Sequence, residues 1–168
     1  MTAVVVQPSP IAGLGVFAGR PFTAGDSVLV IDDSHTVDID HPLKPEDGEI
    51  DRHQDYLAGG RVVLMGVPER YINASCDPNA YVVTRSGVRH AVALRAIAPG
   101  DEITCDYLIN CDGGVEWMCN CGAPHCRGLV PPSFFDLPRA EQHRLLPLLD
   151  EWFVAEHRDR ISLLLNRA

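Results

Sequence analysis

Tyr71-Ile72-Asn73-Ala74-Ser75-Cys76-Asp77-Pro78-Asn79 is the stretch on which the fold turns, and two more blocks follow it in order. They are Gly100-Asp101-Glu102-Ile103-Thr104-Cys105-Asp106-Tyr107 and Cys119-Asn120-Cys121-Gly122-Ala123-Pro124-His125-Cys126-Arg127-Gly128. By residue chemistry alone, the first block is an apolar strand end running into an Asp77-Pro78-Asn79 turn. The second is a Pro99-Gly100-Asp101 turn feeding a strand-like run from Glu102 to Leu108. The third places thiols in Cys-x-Cys-x4-Cys spacing, which suits a metal but leaves structural zinc one ligand short of a tetrahedron. Cys111 and His125 are candidate fourth ligands.

Outward from these blocks, short β-branched runs alternate with Gly, Pro and Asp. Ala3 to Val6, Val28 to Ile31 and Val62 to Met65 read as strands. Two further runs between Tyr81 and Ala96 flank Ser86-Gly87, a two-residue connection that predicts a hairpin. Asp40 to Gln54 is polar, contains Pro42 and Pro45, and is assigned no regular structure. After Pro131-Pro132 the pattern changes. Leu145, Leu146, Leu149, Trp152 and Phe153 recur at helical spacing, and Pro147 is expected to kink or split that tail. Core packing is its expected use; a homodimer contact through Leu163-Leu164-Leu165 is the alternative. The chain lacks the strand–helix alternation of a doubly wound sheet. Gly13-Leu14-Gly15 leads into Val16-Phe17-Ala18 and not into a helix that could receive a phosphate.

The 168 residues fit one domain that can bury a core without disulfides. Six cysteines with no leader-like N-terminus fit a reduced compartment, so metal ligation is favoured over disulfides. No apolar run approaches the roughly 18 residues of a membrane span, which predicts a soluble, cytoplasmic protein with no membrane partner. The net charge of -9 argues against direct nucleic-acid binding and suits a basic partner, although acidity that serves only solubility is the other reading.

Together the three blocks resemble the signature of SET-domain protein-lysine methyltransferases, over roughly Ile11 to Val130. The resemblance implies a mostly-β SET fold of small sheets with a knot-like crossing over residues 1–110. It further implies a zinc-binding post-SET segment at 111–132 and a C-terminal helical extension at 133–168 packed on the SET domain. The activity implied is methyl transfer from S-adenosylmethionine to a lysine side chain of a histone-like or other basic protein. A nuclear or chromosomal location follows if the target is histone-like.

Residue by residue, the resemblance makes Gly13, Leu14 and Gly15 the turn against the methionine end of the cofactor. Tyr56, Arg70, Tyr71, Asn73 and Ala74 join the cofactor pocket, with Ala74 where the family usually has histidine. Tyr107 is the implied catalytic residue, where the cofactor meets the lysine channel, and Cys105 lines that channel in place of the usual Phe or Tyr. The small Cys105 side chain implies room for more than one methyl addition. Ile31 stands where a second channel tyrosine is usual. Cys76 is the family's fourth zinc ligand with Cys119, Cys121 and Cys126. Chemically, the displacement asks the protein mainly to align a neutral amine, and deprotonating a free lysine at pH 7 costs roughly 4 to 5 kcal/mol. The departures at Ala74, Ile31 and Cys105 motivate a rival reading, a catalytically degenerate module that binds a peptide or partner. A second rival is an enzyme acting on small amines.

Overall fold

The computed structural model describes residues 2–166. The first strands are β1 (Val4–Pro8), β2 (Leu14–Ala18) and β3 (Ser27–Val30). They are followed by β4 (Gln54–Leu57), β5 (Arg61–Leu64), β6 (Asn73–Ala74), β7 (Ala80–Arg85) and β8 (Val88–Ala93). β9 (Glu102–Cys105), β10 (Trp117–Met118) and β11 (Leu129–Val130) complete the β portion, and α1 (Arg139–Leu145), α2 (Glu151–Glu156) and α3 (Arg158–Leu165) follow. Four small sheets result, with strand orders β1-β2-β9-β6, β3-β8-β7, β4-β5 and β10-β11. Among the described residues, no helix is long and apolar enough to cross a membrane.

The expected strands are present with ends shifted by one or two residues. The hairpin forms as read: Ser86 and Gly87 both take positive φ, at 51° and 80°, and Arg85 pairs with Val88. Two positive φ values match the right-handed twist of the flanking strands. The expected run from Glu102 to Leu108 stops as a strand at Cys105. The Asp106 carboxylate accepts the Leu108 N–H at 3.1 Å, and this local bond turns the chain out of the sheet. The segment 40–54 is more ordered than expected. Short 3-10 turns occupy Pro45–Asp47 and Asp51–His53, and Gln54 opens β4.

Two cores position the site. Val16, Phe22, Ala80, Ala91, Ile97 and Ile103 fill the space between the sheets. Phe134, Leu145, Phe153, Ile161 and Leu164 fill the second core, which also takes in Cys76, Leu108 and Val130. The tail splits at Pro147, as the missing N–H requires, and again at His157. Within the Leu163-Leu164-Leu165 run, Leu164 packs inward while its two neighbours are exposed.

Asp150 fastens the tail to the sheets. Its carboxylate accepts Thr84 N at 2.8 Å and Thr84 Oγ1 at 2.6 Å, and its own N–H donates to Asn110 Oδ1 at 2.7 Å. The side chain is buried, so Asp150→Ala strands an N–H and a hydroxyl at once. Denaturant unfolding of that variant is expected to show a loss of about 3 kcal/mol. A loss below about 0.5 kcal/mol, the usual scatter for surface changes, would mean the tail docks without this residue.

Candidate functional site

The site is built on a two-residue parallel pairing. β6 lies beside β9 with Asn73 opposite Thr104 and Ala74 opposite Cys105, and Ser75 N–H continues the ladder to Cys105 O at 2.9 Å. So short a strand cannot hold itself in place. Asn79 clamps it by acting as a substitute peptide group: its Nδ2 donates to Glu102 O at 2.8 Å, and its Oδ1 accepts Thr104 N–H at 2.9 Å. The Asp77-Pro78-Asn79 turn therefore fixes the first block to the second.

Asn73 then organises the Gly-Leu-Gly turn. Its Nδ2 donates to Ala12 O at 3.2 Å, Leu14 O at 3.0 Å and Glu102 Oε1 at 2.8 Å. Glu102 also accepts the Ser9 hydroxyl, at 2.7 and 2.9 Å. Gly13 has φ +48°, while a Cβ on Gly15 would collide with the Glu102 carboxylate. A side chain at the second glycine would have to push the Glu102 carboxylate away from Ser9 and Asn73. Asn73 Oδ1 and the terminal nitrogens of Arg70 have no protein partner among the described residues, and Arg70 Nε donates to Gly66 O at 3.2 Å. An open amide acceptor and an open guanidinium are what the ammonium and carboxylate of an amino-acid-like ligand need.

Tyr107 lies just past β9. Its hydroxyl donates to Ile72 O at 2.6 Å, and its ring meets Trp117 at a centroid distance of 6.2 Å. Half of the side chain is exposed, but desolvation at the hydroxyl, with Cys105 and Asp55 nearby, raises its ionisation above the usual phenol range, so it works as a neutral hydroxyl. Cys105 is buried, and that burial, followed by Asp106, pushes its thiol up to about 12. Asp55 is held by Arg89, whose Nε and Nη2 also take both oxygens of Asp33 at 2.8 and 2.6 Å. Beside Tyr71, His53 has a buried Nδ1 without a partner. Burial, with Arg70 and Arg52, lowers its pKa and keeps the ring neutral.

The Sγ atoms of Cys76, Cys119, Cys121 and Cys126 all lie within 4.8 Å of one another, and Cys76 to Cys119 is 3.8 Å. Thiolates at about 2.3 Å from a tetrahedral zinc stand about 3.8 Å apart, so the donor set fits that ion. β10 and β11 close the base of the knuckle, with Cys119 N–H donating to Gly128 O at 2.7 Å. Burial opposes ionisation of Cys121, but N–H groups of Cys76 and Ala123 and the Cys119 and Cys126 thiols lower its pKa to about 6. Burial raises the thiols of Cys76 and Cys119. Of the alternative ligands, Cys111 donates to Pro132 O at 3.6 Å, and neither Cys111 nor His125 belongs to the four-sulfur group.

Thus Gly13, Leu14, Gly15, Asn73, Ala74, Cys105 and Tyr107 come together around β6 and β9, and Arg70 and Tyr71 occupy the turn leading into β6. Tyr56, on β4, is 64% exposed, and Ile31 is buried just past β3. Glu102, Asp106, Trp117 and Arg127 are site residues that the motif reading passed over. Glu102, Asp106 and Arg127 lie inside the quoted blocks, but nothing in the sequence marks the contacts they make in the folded chain.

The SET domain family model matches residues 13–108. The Arabidopsis thaliana histone-lysine N-methyltransferase ATX2 is 30% identical over 161 aligned residues, covering 86% of this chain and 14% of that protein. Human histone-lysine N-methyltransferase 2B is 35% identical over 137, covering 74% of this chain and 5% of that protein. The chain therefore spans a small fraction of these relatives' length. A solved Plasmodium falciparum protein assigned as a histone methyltransferase superposes with TM-score 0.50 at 19% identity, covering 64% of this chain and 94% of that one, and it supports the fold alone. With more than half of its length matched, and with the paired blocks, the glycine turn and the tyrosine assembled in one place, the chain belongs to the SET domain family.

Proposed function

We propose that this chain transfers a methyl group from S-adenosylmethionine to the side-chain amine of a lysine in a protein, with zinc held by Cys76, Cys119, Cys121 and Cys126. The observation that carries the reading is the β6–β9 pairing, which sets Asn73 and Ala74 beside the strand that ends at Cys105 and Tyr107. Bound there, S-adenosylmethionine supplies the electrophilic methyl. Asn73 Oδ1 and the Arg70 guanidinium hold its amino-acid end, and the Gly13–Gly15 backbone borders it. Tyr107 orients the incoming amine. A neutral phenol cannot serve as a base, so the amine loses its proton to water. The protein's own part is alignment in a partly desolvated channel.

A basic protein acceptor suits the net charge of -9, and the relatives named histone-lysine N-methyltransferases support a histone-like one. Labelled methyl from S-adenosylmethionine should appear on lysine when the zinc-loaded chain meets mixed basic proteins. Label on small amines but on no protein would overturn the protein acceptor. A folded, zinc-loaded chain that binds no cofactor would favour the binding-module reading.

Cys105 sets a product expectation. A thiol is several atoms smaller than a phenyl ring, so the wild type is expected to carry a peptide lysine past monomethylation, and Cys105→Phe to stop earlier. Mass spectra at exhaustive reaction would check this; an unchanged methyl ladder in the variant would sink it. Because Cys105 packs inside the first core, the variant's stability must be measured alongside.

A further inference from the structure

Arg127 joins three parts of the chain that are distant in sequence. It follows Cys126, and its backbone N–H donates to the Cys76 sulfur at 3.4 Å. Its Nη1 and Nη2 grip the Asp106 carboxylate at 3.0 and 2.7 Å, and its Nε reaches Glu141 Oε2 of α1 at 2.6 Å. The Arg127 and Asp106 side chains are only 7% and 2% exposed. A planar fork satisfied from two sides in an enclosed place has one geometry available to it.

Asp106 immediately precedes Tyr107, and the carboxylate that Arg127 holds also accepts Leu108 N–H at 3.1 Å. The tyrosine backbone is therefore anchored on both sides through one carboxylate, while the hydroxyl is fixed by Ile72 O. Four thiolates around a divalent cation carry a net charge of about -2, and the Arg127 backbone N–H reaches one of those sulfurs. The Arg127 main chain is thus tied to the cluster by its N–H bond to Cys76, while its guanidinium is tied to Asp106 and Glu141.

We propose that Arg127 is a positioning residue that transmits closure of the cysteine cluster to Tyr107 through Asp106, so that the tyrosine takes its working geometry only when the cluster holds metal. The consequence for turnover rests on the methyl-transfer reading above; the coupling itself does not.

The chain has four tyrosines, so 3-fluorotyrosine labelling gives four fluorine resonances, and Tyr107→Phe identifies the one wanted. Stripping zinc with a chelator should shift the Tyr107 resonance of the wild type. Asp106→Asn combined with Arg127→Met removes the link without leaving a buried charge alone. That double variant should keep zinc, lose the metal-dependent shift, bind S-adenosylhomocysteine within about two-fold of wild type and turn over about 100-fold more slowly. Arg127→Lys keeps the charge but not the fork; it should retain zinc and show a reduced shift.

An undiminished shift in the double variant would mean that the Trp117 ring or the backbone carries the coupling. A wild-type resonance that ignores zinc, or a full response in Arg127→Lys, would also overturn the proposal. So would a double variant that cannot hold zinc, because Arg127 would then serve only the cluster's stability. Failure of methyl transfer by the wild type leaves the fluorine result standing and strikes the functional reading alone.

Discussion

Cys76→Ser is expected to lose the metal and to lower methyl transfer by at least about 100-fold, whereas Cys111→Ser should change neither. Cys76 is the one member of the four-sulfur group supplied from the first block; the other three come from the segment between β10 and β11. That segment is held at its base by strands of only two residues each, so the metal is its main internal support. Structural zinc contributes on the order of 10 kcal/mol to small sites of this kind, far more than two ladder bonds supply. With Cys76 replaced, three thiolates remain on a loop no longer fastened to the strand that carries Asn73, and Trp117 leaves its place over Tyr107. Metal content per chain and the initial transfer rate, measured on the same samples, check this. A Cys76→Ser protein with full zinc and unaltered rate would show that the metal bridge is not what closes the site. Acid should act in the same direction, because protonated thiols release metal. Loss of zinc is therefore expected as pH falls, and recovery as it rises.

The parts of this arrangement that were legible in the sequence share one property: their chemistry is local. Ser86-Gly87 announces a hairpin because the turn lies within the residues themselves. Pro147 announces a break because the missing N–H does. The three cysteines of the knuckle announce a metal by spacing alone. The β6–β9 pairing was of another kind, since two residues carry no period and the partner is far along the chain. The resemblance implied a knot-like crossing there, but the pairing itself shows only in the folded chain. Arg127, Asp106 and Glu102 were harder still. Each is a charged residue of the sort that usually covers a surface, and only the folded chain shows Asp106 enclosed and Glu102 under a glycine. Gly15 teaches the same point: it reads as a close approach to a ligand, yet the nearer constraint is the Glu102 carboxylate. The turns within 40–54 were missed because Lys44 and Glu49 close that segment on each other, through Lys44 N–H to Glu49 Oε2 at 2.8 Å, in a stretch with no apolar period.

Tyr107→Phe is expected to reduce turnover by about 100-fold or more while leaving S-adenosylhomocysteine affinity within about three-fold. The phenol ring keeps its contact with Trp117 in the variant, so the walls of the site survive. The loss is confined to one oxygen, whose hydrogen is committed to Ile72 O and whose lone pairs are left free to accept. That bond fixes the direction in which the oxygen can accept, and an amine aligned by it approaches the methyl along one line. Removing it also strands the Ile72 carbonyl, so a stability cost of about 1 to 3 kcal/mol should accompany the variant. The two effects separate by temperature: the rate deficit should persist well below the unfolding transition, where the folded fraction is complete. The pH profile gives a further distinction. Burial holds Tyr107 protonated throughout the working range, so the wild-type rate should climb with pH as the substrate amine, pKa near 10.4 when free, becomes neutral. Tyr107→Phe should show the same slope at a lower level. A variant whose profile loses that slope would reveal the tyrosine as a proton carrier and not a fixed neutral hydroxyl. A variant equal to wild type in rate would remove Tyr107 from the reaction.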